Sequence, residues 1–399
     1  MRHEATPISS VAVRRLHGRP ARVAIVVGTR PEAIKMAPVS HAIAARNALT
    51  PIVISTGQHR ELLHQALADF GISADIDLDL MVPNQTPAEF TARCLDAISP
   101  VFRQEHFDAV LVQGDTTTVL AAGLGAAWAG IPVGHVEAGL RSFDLANPFP
   151  EEMHRRMLST IATWHFAPTV RARRNLIDEG VHADRVFTTG NTIVDALNAM
   201  DLSGEYDEPA LRHLPQGRMV TVTAHRRENH GAPLREIAHA VQTLVERFPD
   251  LCAVIPVHPN PNVRAVLREV LRQNSRVHLV SPVGYRDMLR LLKRSTLIVT
   301  DSGGVQEEAP SLGTPVLITR DVTERPEVVT AGAGRLVGTR HDAIVAEASR
   351  LLTDDVAYHA MTRARNPFGD GLASERIADI LELRLCGRIA SGDSVADIA

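Results

Sequence analysis

The chain has 399 residues, of which 45% are hydrophobic and 22% charged, with a formal net charge of −4. This is the profile of a soluble globular protein with enough residues for two domains. The charge implies no basic surface for nucleic acid or an anionic membrane, and no apolar run approaches the ~20 residues of a membrane span. Three scattered cysteines, Cys94, Cys252 and Cys386, form neither a disulfide framework nor a zinc spacing and predict a reducing compartment. Residues 1–20 are basic, lack the apolar segment of a secretory signal, and read as an N-terminal extension.

From Arg22 onward, short β-branched runs alternate with helical patterns. The first half carries candidate strands at Val23–Val27, Ile52–Ser55, Val110–Val112, Val133–Val136, His165–Ala167 and Val186–Thr188. The second carries Met219–Thr223, Ala253–Val257, Val277–Val280, Leu297–Thr300, Val316–Ile318 and Arg335–Val337. Near-continuous apolar strands separated by helices predict parallel sheets covered on both faces. Two sets of about six predict an α/β protein with two Rossmann-like, doubly wound domains. The expected domains are 21–190 and 191–370, with a C-terminal helix and tail over 371–399.

Ligands of such sheets sit beyond the carboxyl ends of the strands, and the chain's notable polar residues fall there. After the first strand comes Gly28-Thr29-Arg30-Pro31-Glu32-Ala33-Ile34-Lys35, with Pro31 suited to a helix start. Its spacing is neither a dinucleotide fingerprint nor a P-loop, but Arg30 and Lys35 can face an anion. Of the 42 basic residues only Lys35 and Lys293 are lysines. A lysine kept against that bias can be needed for its compact point charge; for Lys293, on an amphipathic run, solvation explains it. Asp115, in Gln113-Gly114-Asp115-Thr116, is either a helix N-cap or a cleft carboxylate. Glu137 follows the next strand, and Glu151 and Glu152 open a later helix, where glutamates are ordinarily dipole partners. Three carboxylates at successive cleft positions are less ordinary, and paired acids are what proton transfer at two faces of a substrate requires.

In the second half, Ala224-His225-Arg226 and His258-Pro259-Asn260 follow strands. His225 reads as a diphosphate partner or proton carrier. No histidine pair has metal-ligand spacing. Thr300-Asp301-Ser302-Gly303-Gly304 joins a buried strand to a helix, a place where glycines bring N–H donors and a helix N-terminus close to phosphate. Glu307 and Glu308 are expected in the first turn of that helix, where a bare phosphate cradle would avoid them; a carboxylate can accept sugar hydroxyls there. The pair of signals points to a nucleotide or nucleotide sugar. Arg325, in Thr323-Glu324-Arg325-Pro326-Glu327, can add a cation.

These segments, together with Gln58-His59-Arg60-Glu61 and His135-Val136-Glu137-Ala138-Gly139-Leu140-Arg141, resemble the non-hydrolysing UDP-N-acetylglucosamine 2-epimerases from about Arg22 to Asp370. The resemblance implies two Rossmann-like domains facing a cleft, an architecture shared with a large class of glycosyltransferases (GT-B). It implies a bacterial, cytosolic, homodimeric isomerase that supplies UDP-N-acetylmannosamine with no cofactor and no metal. Carried onto this chain, Asp115, Glu137 and Glu151 are the acid–base candidates. Arg30, His225, Ser302, Gly303 and Gly304 hold the diphosphate, with Lys35 beside it or beside a carboxylate. Glu308 takes the ribose hydroxyls, Arg325 closes the nucleotide site, and Val283 and Met288 flank uracil. Met288 departs from relatives that place an aromatic there. A second UDP-N-acetylglucosamine as activator would use Gln58, His59 and His258, although Val82-Pro83-Asn84 lacks a basic residue some relatives use. A glycosyltransferase on the same architecture, or a variant that uses another UDP-2-acetamido sugar or hydrolyses it, remains open at this point.

Overall fold

The computed structural model describes residues 19–58 and 60–387. His59, most of the N-terminal extension and the tail beyond Gly387 lie outside the described residues. The first seven strands are β1 (Ala21–Val27), β2 (Leu49–Ser55), β3 (Ile76–Asp77), β4 (Ala109–Gln113), β5 (Val133–Val136), β6 (Trp164–Ala167) and β7 (Val186–Thr188). They form one sheet in the order β3-β2-β1-β4-β5-β6-β7. The next six are β8 (Arg218–Thr223), β9 (Leu251–Pro256), β10 (Val277–Val280), β11 (Leu297–Thr300), β12 (Val316–Ile318) and β13 (Gly334–Leu336). Their order is β10-β9-β8-β11-β12-β13. Neighbouring strands pair in parallel throughout, as in β1 with β4 and β8 with β11. The first sheet has one strand more than expected, because Ile76–Asp77 is too short to carry a periodic signal.

The apolar runs of the strands are explained by burial on both faces. Along β1, Val23, Ile25 and Val27 join the core that also holds Leu111 and Phe166, whereas Ala24 and Val26 join a second core with Ile98, Phe102 and Val119. The first of these cores runs without a break into the second lobe, through Ile193, Ala196 and Leu197 of the helix Thr192–Ala199 to Ile298, Val316 and Ile318. The chain's last helix, Ala373–Cys386, returns to the first lobe and packs on the helix Arg30–Ala44. Arg46 fastens it there by bonds of 2.7 Å to both Glu375 and Asp379. The expected C-terminal segment is therefore structurally part of the first lobe. No helix among the described residues is long and apolar enough to cross a membrane.

Both strand orders reverse direction once. In the first sheet the reversal lies between β1 and β4, and in the second between β8 and β11. A doubly wound sheet opens a crevice at such a switch point, beyond the strands' carboxyl ends. The segments there are Gly28–Arg30 and Gly114–Thr116 in one lobe, and Ala224–Arg226 and Asp301–Gly304 in the other.

Candidate active site

The first switch point is stapled by one buried carboxylate. Glu32 accepts from the Gly28 and Thr29 N–H groups at 2.5 and 3.2 Å and from the Thr116 hydroxyl at 2.5 Å. It thus caps the helix Arg30–Ala44 and ties the turn after β1 to the turn after β4. Burial pushes this carboxyl up to about 7, and the three donors only partly oppose it. Thr116, not Asp115, is the N-cap of the helix Thr117–Trp128, which leaves the Asp115 side chain for another task. Arg155 donates to it through Nε at 3.0 Å and also through Nη2. Against burial, which alone would raise it, the Arg155 charge holds Asp115 below the ordinary carboxylate range.

The two helix-start glutamates separate. Glu152 is buried and structural: it accepts from the Ser142 and Phe143 N–H groups and from Arg155 Nη1 at 2.9 Å. Glu151 is partly exposed. Its side chain has no hydrogen-bond or ion-pair partner among the described residues.

Glu137 stands in left-handed backbone, φ 66°, a conformation that costs a non-glycine residue about 1–2 kcal/mol and that collects at functional sites. Its Oε2 receives Lys35 Nζ and, at 3.3 Å, Asn191 Nδ2. Its Oε1 lies 3.9 Å from Arg325 Nη2. Lys35 also pairs with Glu307 at 2.8 Å, and Arg325 donates to Glu307 at 2.5 Å and to Glu324 at 2.6 Å. Two cations and three carboxylates from both lobes thus form one buried cluster. Burial raises Glu137 above the ordinary range even against Lys35. Glu307 resists the same burial and falls below it, because Arg325 and Lys35 both reach it. Placing these charges out of water costs several kcal/mol per ion before pairing, so the cluster is poor as a stability device and well suited to tuning proton affinity.

Several expectations change here. Glu307 and Glu308 are not in the first turn of the helix Gly303–Leu312 but one turn further in, and both are buried. The early N–H donors at Gly303 and Gly304 therefore carry no adjacent carboxylate. Arg325, expected as a cation closing the nucleotide site, lies within the buried cluster of Glu137, Glu307 and Glu324. It is 8% exposed, and it lies so close to the opening turn that a Cβ on Gly303 would meet its Nη1 at 2.6 Å. Lys35 neighbours carboxylates. Lys293 is exposed, without an ion-pair partner among the described residues.

Across the cleft, Asp301 does for the second switch point what Glu32 does for the first. Fully buried, it accepts from the His225 and Arg226 N–H groups at 2.9 Å each and from Asn229 Nδ2 at 3.0 Å. Its other oxygen lies 3.2 Å from His225 Nδ1, so that His225 Nε2 is left for a ligand. The ring of His258 stacks on that of His225, with centroids 5.5 Å apart. Ser302 caps the helix without spending its hydroxyl on the backbone. Glu308 lies beside Tyr285 and Arg30, and burial pushes it up to about 7. Val283 and Met288 pack into an apolar cluster with Leu211 and Leu291. Gln58 accepts from the Thr118 hydroxyl at 2.9 Å, on the first lobe.

Sequence reasoning missed Asn191, and treated Glu307 only as a helix acid. Asn191 lies three residues beyond the end of β7, so the rule that located the other polar residues beyond strand ends applied to it as well.

Two parallel α/β lobes with facing switch points, carboxylates on one side and free N–H donors on the other, define a protein of the GT-B-like class. A glycotransferase of kitacinnamycin, 14% identical with a TM-score of 0.61 and covering 92% of this chain and 100% of its own, shares the fold. The family model for UDP-N-acetylglucosamine 2-epimerase matches residues 41–382. The UDP-N-acetylglucosamine 2-epimerase of Escherichia coli K12 is 47% identical over 369 residues, covering 90% of this chain and 98% of its own. The crystal structure of the Neisseria meningitidis UDP-GlcNAc 2-epimerase bound to UDP-GlcNAc superposes with a TM-score of 0.84 at 42% identity, covering 90% of this chain and 99% of its own. The chain belongs to the UDP-N-acetylglucosamine 2-epimerase family.

Proposed function

We propose that this protein interconverts UDP-N-acetylglucosamine and UDP-N-acetylmannosamine by eliminating and re-adding UDP. The observation that carries this reading is a pair of cleft carboxylates with different partners, Asp115 bonded to Arg155 and held low by it, and Glu137 bonded to Lys35 and raised by burial. Pairs pushed apart in this way divide acid and base roles. C2 of the sugar has no neighbouring carbonyl, so its proton is a poor acid. Breaking the anomeric C1–O bond as the C2 proton leaves avoids a free carbanion: the C–H electrons form the C1=C2 bond and UDP departs with the glycosidic pair. The neutral 2-acetamidoglucal then takes a proton at C2 on the opposite face and UDP at C1. Asp115 and Glu137 flank C2 in this reading, with Glu151 assisting.

The departing diphosphate needs donors already in place. Arg30, His225, the Ser302 hydroxyl and the Gly303 and Gly304 N–H groups supply them, Glu308 takes the ribose hydroxyls, and Val283 and Met288 border uracil. Retaining UDP after elimination lets the same leaving group return. The reading includes a cytosolic homodimer and a second UDP-N-acetylglucosamine as activator near Gln58 and His258. Incubating the protein with UDP-N-acetylglucosamine and no acceptor tests the core of it. Proton NMR should show the manno epimer accumulating to a fixed ratio from either side; unchanged substrate would overturn the assignment.

A further inference from the structure

The chain passes between the lobes twice, once after β7 and once on its return to the helix Ala373–Cys386. The two passages touch backbone to backbone. The Asn191 N–H donates to the Phe368 carbonyl at 2.7 Å. A Cβ on Gly369 would meet the Gly190 Cα at 3.3 Å, and both glycines have positive φ, 92° at Gly190 and 127° at Gly369. A cavity of about 430 Å³ is bordered by Thr189, Gly190 and Gly369.

Asn191 is 2% exposed, and its carboxamide orientation is determined by its partners. The oxygen accepts from the Ile193 N–H at 3.1 Å, capping the helix Thr192–Ala199, so the nitrogen is the atom that faces Glu137 Oε2 at 3.3 Å. The other charged groups at Glu137 are Lys35 from the helix Arg30–Ala44, Glu307 from the helix Gly303–Leu312, and Arg325 from the loop before Pro326. With Lys35 and Asn191 both on Oε2, Oε1 is the oxygen not held by a hydrogen bond.

We propose that Asn191 is a positioning residue that holds Glu137 from the interlobe crossing, fixing Oε2 so that Oε1 is the atom that exchanges protons with the sugar. Glu137 then follows the arrangement of the two lobes, since the residue that holds it is bonded to both chain passages. This rests on the proton-transfer role of Glu137 given above.

The test compares the wild type with Asn191→Ser, which keeps the helix cap and loses the donor, and Asn191→Asp, which keeps the cap and puts a negative charge beside Glu137. Turnover of UDP-N-acetylglucosamine in heavy water is followed with UDP affinity, melting temperature and the pH profile of kcat. Asn191→Ser should lower kcat about 10- to 100-fold, the worth of a hydrogen bond to a charged group, with UDP affinity and folding retained. Asn191→Asp should move a limb of the pH profile to higher pH, because a like charge raises the proton affinity of Glu137. Gly369→Ala, pressing on Gly190, should lower kcat in the same way. Variants whose pH limbs stay in place, or whose rates fall only in step with UDP affinity or melting temperature, would overturn the proposal. A wild type that turns over without exchanging C2 would instead overturn the role of Glu137.

Discussion

The two switch points use one architecture for opposite electrostatic tasks. Each is stapled by a buried carboxylate that accepts main-chain N–H groups, Glu32 in the first lobe and Asp301 in the second. In the first lobe the side chains left over are carboxylates matched to cations, Asp115 to Arg155 and Glu137 to Lys35. In the second they are donors: His225, the Ser302 hydroxyl, and the first N–H groups of a helix whose own glutamates lie a turn away. Proton transfer needs groups whose proton affinity the protein can set, whereas holding a diphosphate needs hydrogen-bond donors already in place. Glu307 breaks the symmetry. It comes from the second lobe and pairs with Lys35 of the first, so the charge cluster is complete only when the lobes face each other.

This division can be broken from either side. Glu137→Gln should reduce C2 exchange by about 10²- to 10⁴-fold, the range of general acid–base catalysis, and leave UDP affinity essentially unchanged. Loss of UDP binding with exchange intact would reverse the two tasks. Lys35→Met leaves Glu137 buried without its main cation and should cost about 3–5 kcal/mol in urea unfolding. Glu137 rises further without Lys35, and a carboxyl raised in the folded state loses stability as pH climbs through its folded value. The Lys35→Met deficit should therefore deepen from pH 5 to pH 8; a deficit independent of pH would contradict the pairing. On the other side, Ser302→Ala should weaken UDP binding by about 1 kcal/mol while both faces of C2 exchange as before. The smallest effect concerns Glu308. Ribose hydroxyls donate to its ionised form, so UDP should lower its proton affinity from about 7 and release protons near neutral pH. Calorimetry in buffers of different ionisation enthalpy should show that this component is absent from Glu308→Gln.

The regular parts of the molecule were legible because their signals are local. Twelve strands could be read from apolar runs, since strands buried on both faces are predominantly apolar, and only Ile76–Asp77 was too short to show. Candidate residues were found by their place after those strands. Their partners were not, because pairing across the cleft is a property of the folded chain. Nothing in Arg325-Pro326 distinguishes a guanidinium that reaches Glu307 from one in water, and only the packing of Gly303 under it makes the difference. Asp115 and Glu151 look alike as helix-start acids. The structure separates them by Arg155, which reaches one and not the other.

In the proposed reaction the first lobe removes the C2 proton while the second retains UDP. Proton and carbon NMR of UDP-N-acetylglucosamine turned over in heavy water tests this directly. Deuterium should appear at C2 of both recovered epimers, incorporated at least as fast as the epimers interconvert. Interconversion with C2 fully protonated would contradict it.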